Sequence, residues 1–136
     1  MIQMIYLDTG VITLFYTKSP PLDVANLMEE IKLRKVTAYI NWLTLVEVFK
    51  NLCIAKGKSF AESCIVSFLN TYPIKLLEAN QSVIIKAGIL KCQYRRELSY
   101  IDCLIIAHSL NQKLTLHTTE KDLPNIPNLL IKNYKF

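Results

Sequence analysis

Apolar residues along the chain fall into two rhythms. Short apolar runs at Ile2 to Leu7, Val36 to Ile40, Ile74 to Leu77 and Leu114 to His117 predict strands. Leu129 to Ile131 adds a fifth at a sheet edge, and Pro124 and Pro127 keep the segment between them in a loop. Between these runs the spacing is helical. Residues 11–16 predict one or two turns. Pro20 and Pro21 open a helix through about Arg34, with Leu22, Ala25, Leu27, Met28 and Ile31 toward the core. Thr44 starts a helix that runs to Lys56 and stops at Gly57. Ser59 and Glu62 make a capping box for a helix ending near Tyr72, where Pro73 breaks the chain. A long helix follows from Asn80 to Arg96. Ser99 starts the last one, through Leu110, which is apolar nearly all round and therefore belongs against the middle of a sheet. Strands alternating with helices, without repeat, linker or low-complexity tract, predict one domain over residues 1–136. Its expected architecture is a three-layer α/β/α sandwich with a mostly parallel sheet of four or five strands.

Composition narrows the classes. A length of 136 residues buries a core without disulfides or a structural metal. Three glycines supply no phosphate-cradling loop, and neither dinucleotide nor P-loop spacing occurs. No apolar run reaches the roughly 18 residues of a membrane span. The N-terminus, MIQMIYLDTG, has no basic leader and predicts a strand rather than a signal peptide. Cys53, Cys64, Cys92 and Cys103 form no C-x-x-C pair and sit in apolar helical patterns, so they are expected as reduced core thiols of a cytoplasmic protein. A net charge of +5 suits a phosphate-rich partner but does not by itself establish one.

The acids carry the candidate chemistry. Asp8 directly follows the first strand, where ligands of parallel α/β sheets bind, although the same Asp can cap the helix after it. Glu47 lies three residues after Thr44, and Asp102 three after Ser99; both spacings are those of a capping box. A first-turn carboxylate is also held at fixed depth near the strand ends, so capping and ligation are compatible. Glu120 and Asp122 follow the fourth strand. Acids gathered there would repel and raise one another's pKa values, and a divalent cation removes that penalty. An all-oxygen set without Cys or His suits Mg²⁺ or Mn²⁺, which can activate water against a phosphodiester. Each acid alone is ambiguous; the combination predicts a metal-dependent nuclease.

Four segments resemble the PIN-domain family, the nuclease fold of VapC-type toxins. They are YLDTGVI at 6–12, LTLVEVF at 43–49, YIDCLIIAHSL at 100–110 and LHTTEKDL at 116–123, in the family's order and over nearly the whole chain. The resemblance implies an endoribonuclease in which Asp8, Glu47, Asp102 and Glu120 are catalytic and bind one or two Mg²⁺ or Mn²⁺ ions. Asp122 would assist as a further metal ligand, and Thr9 and Thr118 would orient carboxylates. It also implies an RNA substrate, a small antitoxin protein as partner and a homodimer. The pattern departs at Gly10, where the family usually has Asn or Ser, and at Glu120, where Asp is more usual. These departures motivate an alternative, a catalytically silent PIN-like domain that binds RNA or a protein.

Other residues complete the expectation. Lys50 and Asn51 share a helix face with Glu47 and are candidates for RNA contact. Lys91, Arg95 and Arg96 either form a phosphate patch near Asp102 or cap the preceding helix. His108 is expected in the core. His117 is the histidine nearest the site, with packing its expected role. Aspartyl phosphatases and receiver domains also carry Asp after the first strand. The first need an Asp where Gly10 stands, and the second a Lys where His117 stands.

Overall fold

A computed structural model describes residues 2–17 and 19–135. Five strands, β1 (Gln3–Leu7), β2 (Val36–Asn41), β3 (Lys75–Leu77), β4 (Thr115–Thr118) and β5 (Ile131–Asn133), form one sheet in the order β3-β2-β1-β4-β5. Every pairing is parallel, with Ile5 opposite Ala38 and Tyr6 opposite Leu116. Six helices accompany it: α1 (Thr9–Phe15), α2 (Leu22–Lys32), α3 (Trp42–Lys56), α4 (Lys58–Thr71), α5 (Gln81–Gln93) and α6 (Tyr100–Gln112). The crossovers β1 to β2 and β2 to β3 run one way along the sheet, whereas β3 to β4 returns past both. Right-handed connections therefore put α1–α4 on one face and α5–α6 on the other. The packing agrees: α1 touches α2 and α3, α3 touches α4, α6 lies against β1 and β4, and α5 packs on α6. This is the expected α/β/α sandwich, with its sheet parallel throughout.

The alternation of strand side chains divides the core. Ile5, Leu7 and His117 turn to the α1–α2 face, where Val24, Leu27, Met28 and Ile31 are buried. Tyr6, Leu116 and Thr118 turn to α6, whose Cys103, Ile105, Ile106 and Ala107 are buried as its all-round apolarity predicted.

Local expectations failed at helix starts. The cap of α3 is Asn41, whose Oδ1 accepts from the Leu43 N–H at 3.0 Å, so Thr44 and Glu47 are not a capping box. Thr44 is instead buried in the first turn, its hydroxyl 2.8 Å from Tyr6 Oη. Ser59 and Glu62 cap nothing either. α4 begins at Lys58, directly after Gly57, whose φ of 93° turns the chain sharply between two helices. On α2 the inward stripe includes Val24, while Leu22 is 76% exposed at the first helical position and Ala25 only half-buried. α5 stops at Gln93 rather than Arg96, and the Lys91 ammonium donates to the carbonyls of Arg95 and Leu98. Ser99 and Asp102 do form the expected capping box on α6. Cys64 and Cys103 are buried and Cys53 half-buried, but Cys92 is exposed; all four are free thiols. Among the described residues no helix is long and apolar enough to cross a membrane.

Candidate active site

β1 and β4 are neighbours from which the chain leaves in opposite directions, β1 to β2 on one side and β4 to β5 on the other. The crevice outside the carboxyl ends of β1 and β4 is thus left open by both crossovers, and it is where parallel sheets bind ligands. A cleft of about 430 Å³ lies there. Four elements bring acids to it: Asp8 after β1, Glu47 in α3, Asp102 in the first turn of α6, and Glu120 after β4.

Asp8 is buried and held on both oxygens. Oδ1 accepts from the Thr9 N–H at 2.7 Å, the N-cap bond of α1, and Oδ2 accepts from the Thr118 hydroxyl at 2.6 Å. The Asp8 N–H donates to the His117 carbonyl at 3.0 Å, which ties the end of β1 to β4. Thr118 in turn accepts from the Glu120 N–H at 3.0 Å, so one buried hydroxyl sets both the Asp8 carboxylate and the loop carrying Glu120. Burial pushes the Asp8 pKa up to about 6 despite the two bonds from Thr118 and Thr9, and the charges of Asp102 and Glu120 add to the rise. Glu120, an exposed side chain, is also raised by partial loss of hydration, then by Asp102, Glu47 and Asp122. Asp122 is exposed and outside the cleft walls; it acts on Glu120 through its charge.

Asp102 is turned back to its own helix start, Oδ2 accepting from the Ser99 N–H at 3.3 Å while the Ser99 hydroxyl accepts from the Asp102 N–H at 3.1 Å. Among the described residues no three His, Cys, Asp or Glu side chains stand ready as a metal cage. Two observations nonetheless fit a hard cation. The four converging donors are carboxylates, without sulfur or imidazole. The Thr9 hydroxyl, in the cleft wall, is buried without a hydrogen-bond partner.

Behind the acids lies a buried polar cluster that the sequence did not reveal. Tyr6 Oη accepts from the Asn41 N–H at 2.8 Å and is bonded to Thr44. The Asn41 amide donates to the Leu77 carbonyl at 3.1 Å and to His108 Nε2 at 3.0 Å. His108 stacks on Tyr6, with ring centroids 6.3 Å apart. This cluster joins β1, β2, the start of α3 and the middle of α6, so it fixes Glu47 and Asp102 relative to Asp8. An Asn at the junction of a strand and a helix was the available signal, since Asn is a preferred cap.

The remaining candidates are placed as follows. Lys50 and Asn51 line the cleft beside Glu47. Lys50 is exposed, and the Asn51 amide donates to the Thr13 hydroxyl at 3.4 Å. Arg95 and Arg96 occupy the exposed turn before Ser99, outside the cleft walls. His117 is removed from the site: its ring lies on the α2 face, with Nδ1 2.7 Å from Tyr134 Oη and Nε2 buried without a partner. Thr119, which carried no expectation, lines the cleft. A Cβ added to Gly10 would collide with Thr119 Oγ1 and press on its Cβ and Cγ2 at 3.1 and 3.2 Å.

The family model of the PIN domain matches residues 5–129. Among solved structures, the chain is similar to VapBC2 from Rickettsia felis bound to a promoter DNA fragment. The TM-score is 0.76 at 23% identity, covering 98% of this chain and 100% of that one. DNA-bound VapBC from Salmonella typhimurium gives 0.72 at 18% identity, covering 98% of each chain. VapC20 from Mycobacterium tuberculosis, a toxin that cleaves the sarcin-ricin loop, gives 0.66 at 13% identity, covering 87% and 89%. Compared with curated proteins by sequence, the chain matches none.

Proposed function

Because the chain belongs to the PIN-domain family, we propose that it is a metal-dependent endoribonuclease that hydrolyses RNA phosphodiesters in the cleft at the ends of β1 and β4. The observation that carries this reading is the meeting of four carboxylates from four separate elements in one cleft. Local folding does not require that meeting, since a helix cap needs no other acid nearby. Asp8, Glu47, Asp102 and Glu120 would hold one or two Mg²⁺ or Mn²⁺ ions. When bound, such an ion supplies charge against the phosphodiester and lowers the pKa of a water for attack. Asp8 must be ionised to serve, and Thr118 and the Thr9 N–H favour that form. Thr9 and Thr118 orient the carboxylates, and Asp122 assists by adding negative charge beside Glu120. Lys50 and Asn51 on the α3 wall receive backbone phosphate. Arg95 and Arg96 extend the positive surface along the turn before α6.

The partners follow the same reading. VapBC structures from other organisms pair a toxin with an antitoxin, and we infer a small antitoxin protein and a second copy of this chain here. Support comes from apolar side chains that stand uncovered: Ile84, Ile85 and Ile89 on α5, and Trp42 and Val46 on α3, are each more than half exposed. The catalytically silent alternative draws on Gly10 and Glu120, the two positions at which the chain departs from the family's usual residues.

Incubation with single-stranded RNA, with and without Mn²⁺, separates the two. The ribonuclease reading predicts Mn²⁺-dependent cleavage that Asp8→Asn and Asp102→Asn each reduce at least about 100-fold. Binding without cleavage, at protein concentrations comparable to the RNA, would establish the silent domain instead.

A further inference from the structure

The hydroxyls of the cleft are not equivalent. Thr118 is fully used, donating to Asp8 and accepting from Glu120. Thr9 Oγ1 is buried. Ser99 is exposed, and its hydroxyl is held at the start of α6 by the Asp102 N–H. Thr119 Oγ1, in a half-buried side chain of the wall, makes no hydrogen bond among the described residues. Its position is built rather than incidental. It occupies the space that a side chain at position 10 would take, so any other residue there would displace Thr119 Oγ1 and press on its Cβ and Cγ2. Gly10 is the second residue of α1, where glycine is still a poorer helix former than alanine. Helix propensity therefore argues against Gly10, and the close approach of Thr119 is what accounts for it.

We propose that Thr119, seated over Gly10, is the substrate-orienting hydroxyl of the cleft and donates to a non-bridging oxygen of the RNA phosphate. This rests on the ribonuclease reading. A phosphate entering between four carboxylates needs a donor close to the acids. A cationic side chain in that place would pair with Asp8 or Asp102 and remove it from its task. A hydroxyl donates with direction and without net charge, while Lys50, from α3 in the same cleft, supplies the attraction.

Four variants test the assignment: Thr119→Val, which keeps shape and removes the hydroxyl, Thr119→Ser, Gly10→Ser, and the exchange Gly10→Ser/Thr119→Ala. RNA binding is read by fluorescence anisotropy with Mn²⁺ in an Asp102→Asn background that blocks turnover. Cleavage is read in the Asp102 protein, and melting temperature in both. Thr119→Val should melt like its parent yet weaken RNA binding and cleavage about tenfold each, the scale of one hydrogen bond to a charged group. Thr119→Ser should stay near the parent. Gly10→Ser alone should lower the melting temperature through its collision with Thr119, and the exchange should recover both stability and part of the cleavage by returning a hydroxyl from the other wall. Parent-like binding and cleavage by Thr119→Val, with RNA still cleaved, overturns the role of Thr119 and leaves the ribonuclease reading intact. If RNA is bound without cleavage, the anisotropy of Thr119→Val alone decides. If the unaltered chain neither binds nor cleaves RNA, both readings fall together.

Discussion

Asp8 and His117 sit two strands' ends apart in chemistry though they share a backbone hydrogen bond, and they respond to acid in opposite directions. Burial and neighbouring acids raise Asp8 to about 6, so its ionised form weighs against the metal-free fold, and protonation between pH 6 and about 4 stabilises it. Burial, and secondarily the Lys132 charge, lowers His117 to about 4. Its neutral form is stable in the fold while the unfolded chain protonates near 6.5, so stability is lost as pH falls from 6.5 to 4. His108, lowered by burial alone, adds to that loss. The two trends oppose each other in one pH window and should leave the metal-free protein with a shallow acid profile. Asp8→Asn should remove one side, raising stability at pH 8 by roughly 1–3 kcal/mol and unmasking a steeper acid loss. His117→Gln should do the reverse, its stability relative to the unaltered protein rising as the pH falls from 6.5 to 4. Urea unfolding at pH 8, 6 and 4 measures all three proteins; identical profiles would mean that neither group is perturbed as described. At this scale Asp8 was legible because a polar residue ending an apolar strand stands out in sequence. Thr119 was not, because nothing in the chain order says that its hydroxyl lies over Gly10.

At the scale of elements, strands and helices were legible, and their starts only in part. The Ser99–Asp102 box was readable because a serine directly precedes an apolar helix with an acid at its third position. The same spacing at Thr44 and Glu47 misled, because Asn41 had already capped α3 a turn earlier and the Thr44 hydroxyl was taken by Tyr6 across the sheet. Spacing records which local bonds are available; tertiary partners decide which one forms. Asn41 ties the start of α3 to β3 through the Leu77 carbonyl and to α6 through His108. Asn41→Ala removes a cap and strands two buried polar partners, and should cost about 2–4 kcal/mol. RNA cleavage should fall with it even at temperatures where the variant is folded by circular dichroism, because Glu47 and Asp102 lose their common anchor. Full cleavage by a folded Asn41→Ala protein would show that the two helices hold their acids independently.

The whole molecule explains why four ambiguous residues become a site. Chain order predicted alternating strands and helices, but not the strand order, since parallel strands of similar apolarity carry no label of their neighbours. The order β3-β2-β1-β4-β5 puts the ends of β1 and β4 side by side, and the two helical layers bring α3 and α6 to the same crevice from opposite faces. The acids, separated by up to 112 positions between Asp8 and Glu120, meet only through that topology. Asp8 and Asp102 are bonded to nearby backbone and hydroxyl donors, and the charges of neighbouring acids raise the pKa values of Asp8 and Glu120. The central claim is therefore that these carboxylates close on a cation. A crystal structure of the protein soaked in Mn²⁺, with anomalous scattering to locate the ion, tests it most directly. The account predicts a peak in the cleft with carboxylate oxygens of Asp8, Glu47 and Asp102 within about 2.5 Å, and the Asp102 side chain released from the Ser99 N–H. Carboxylates left as they are and no peak in the cleft, with Mn²⁺ bound elsewhere or not at all, would contradict it.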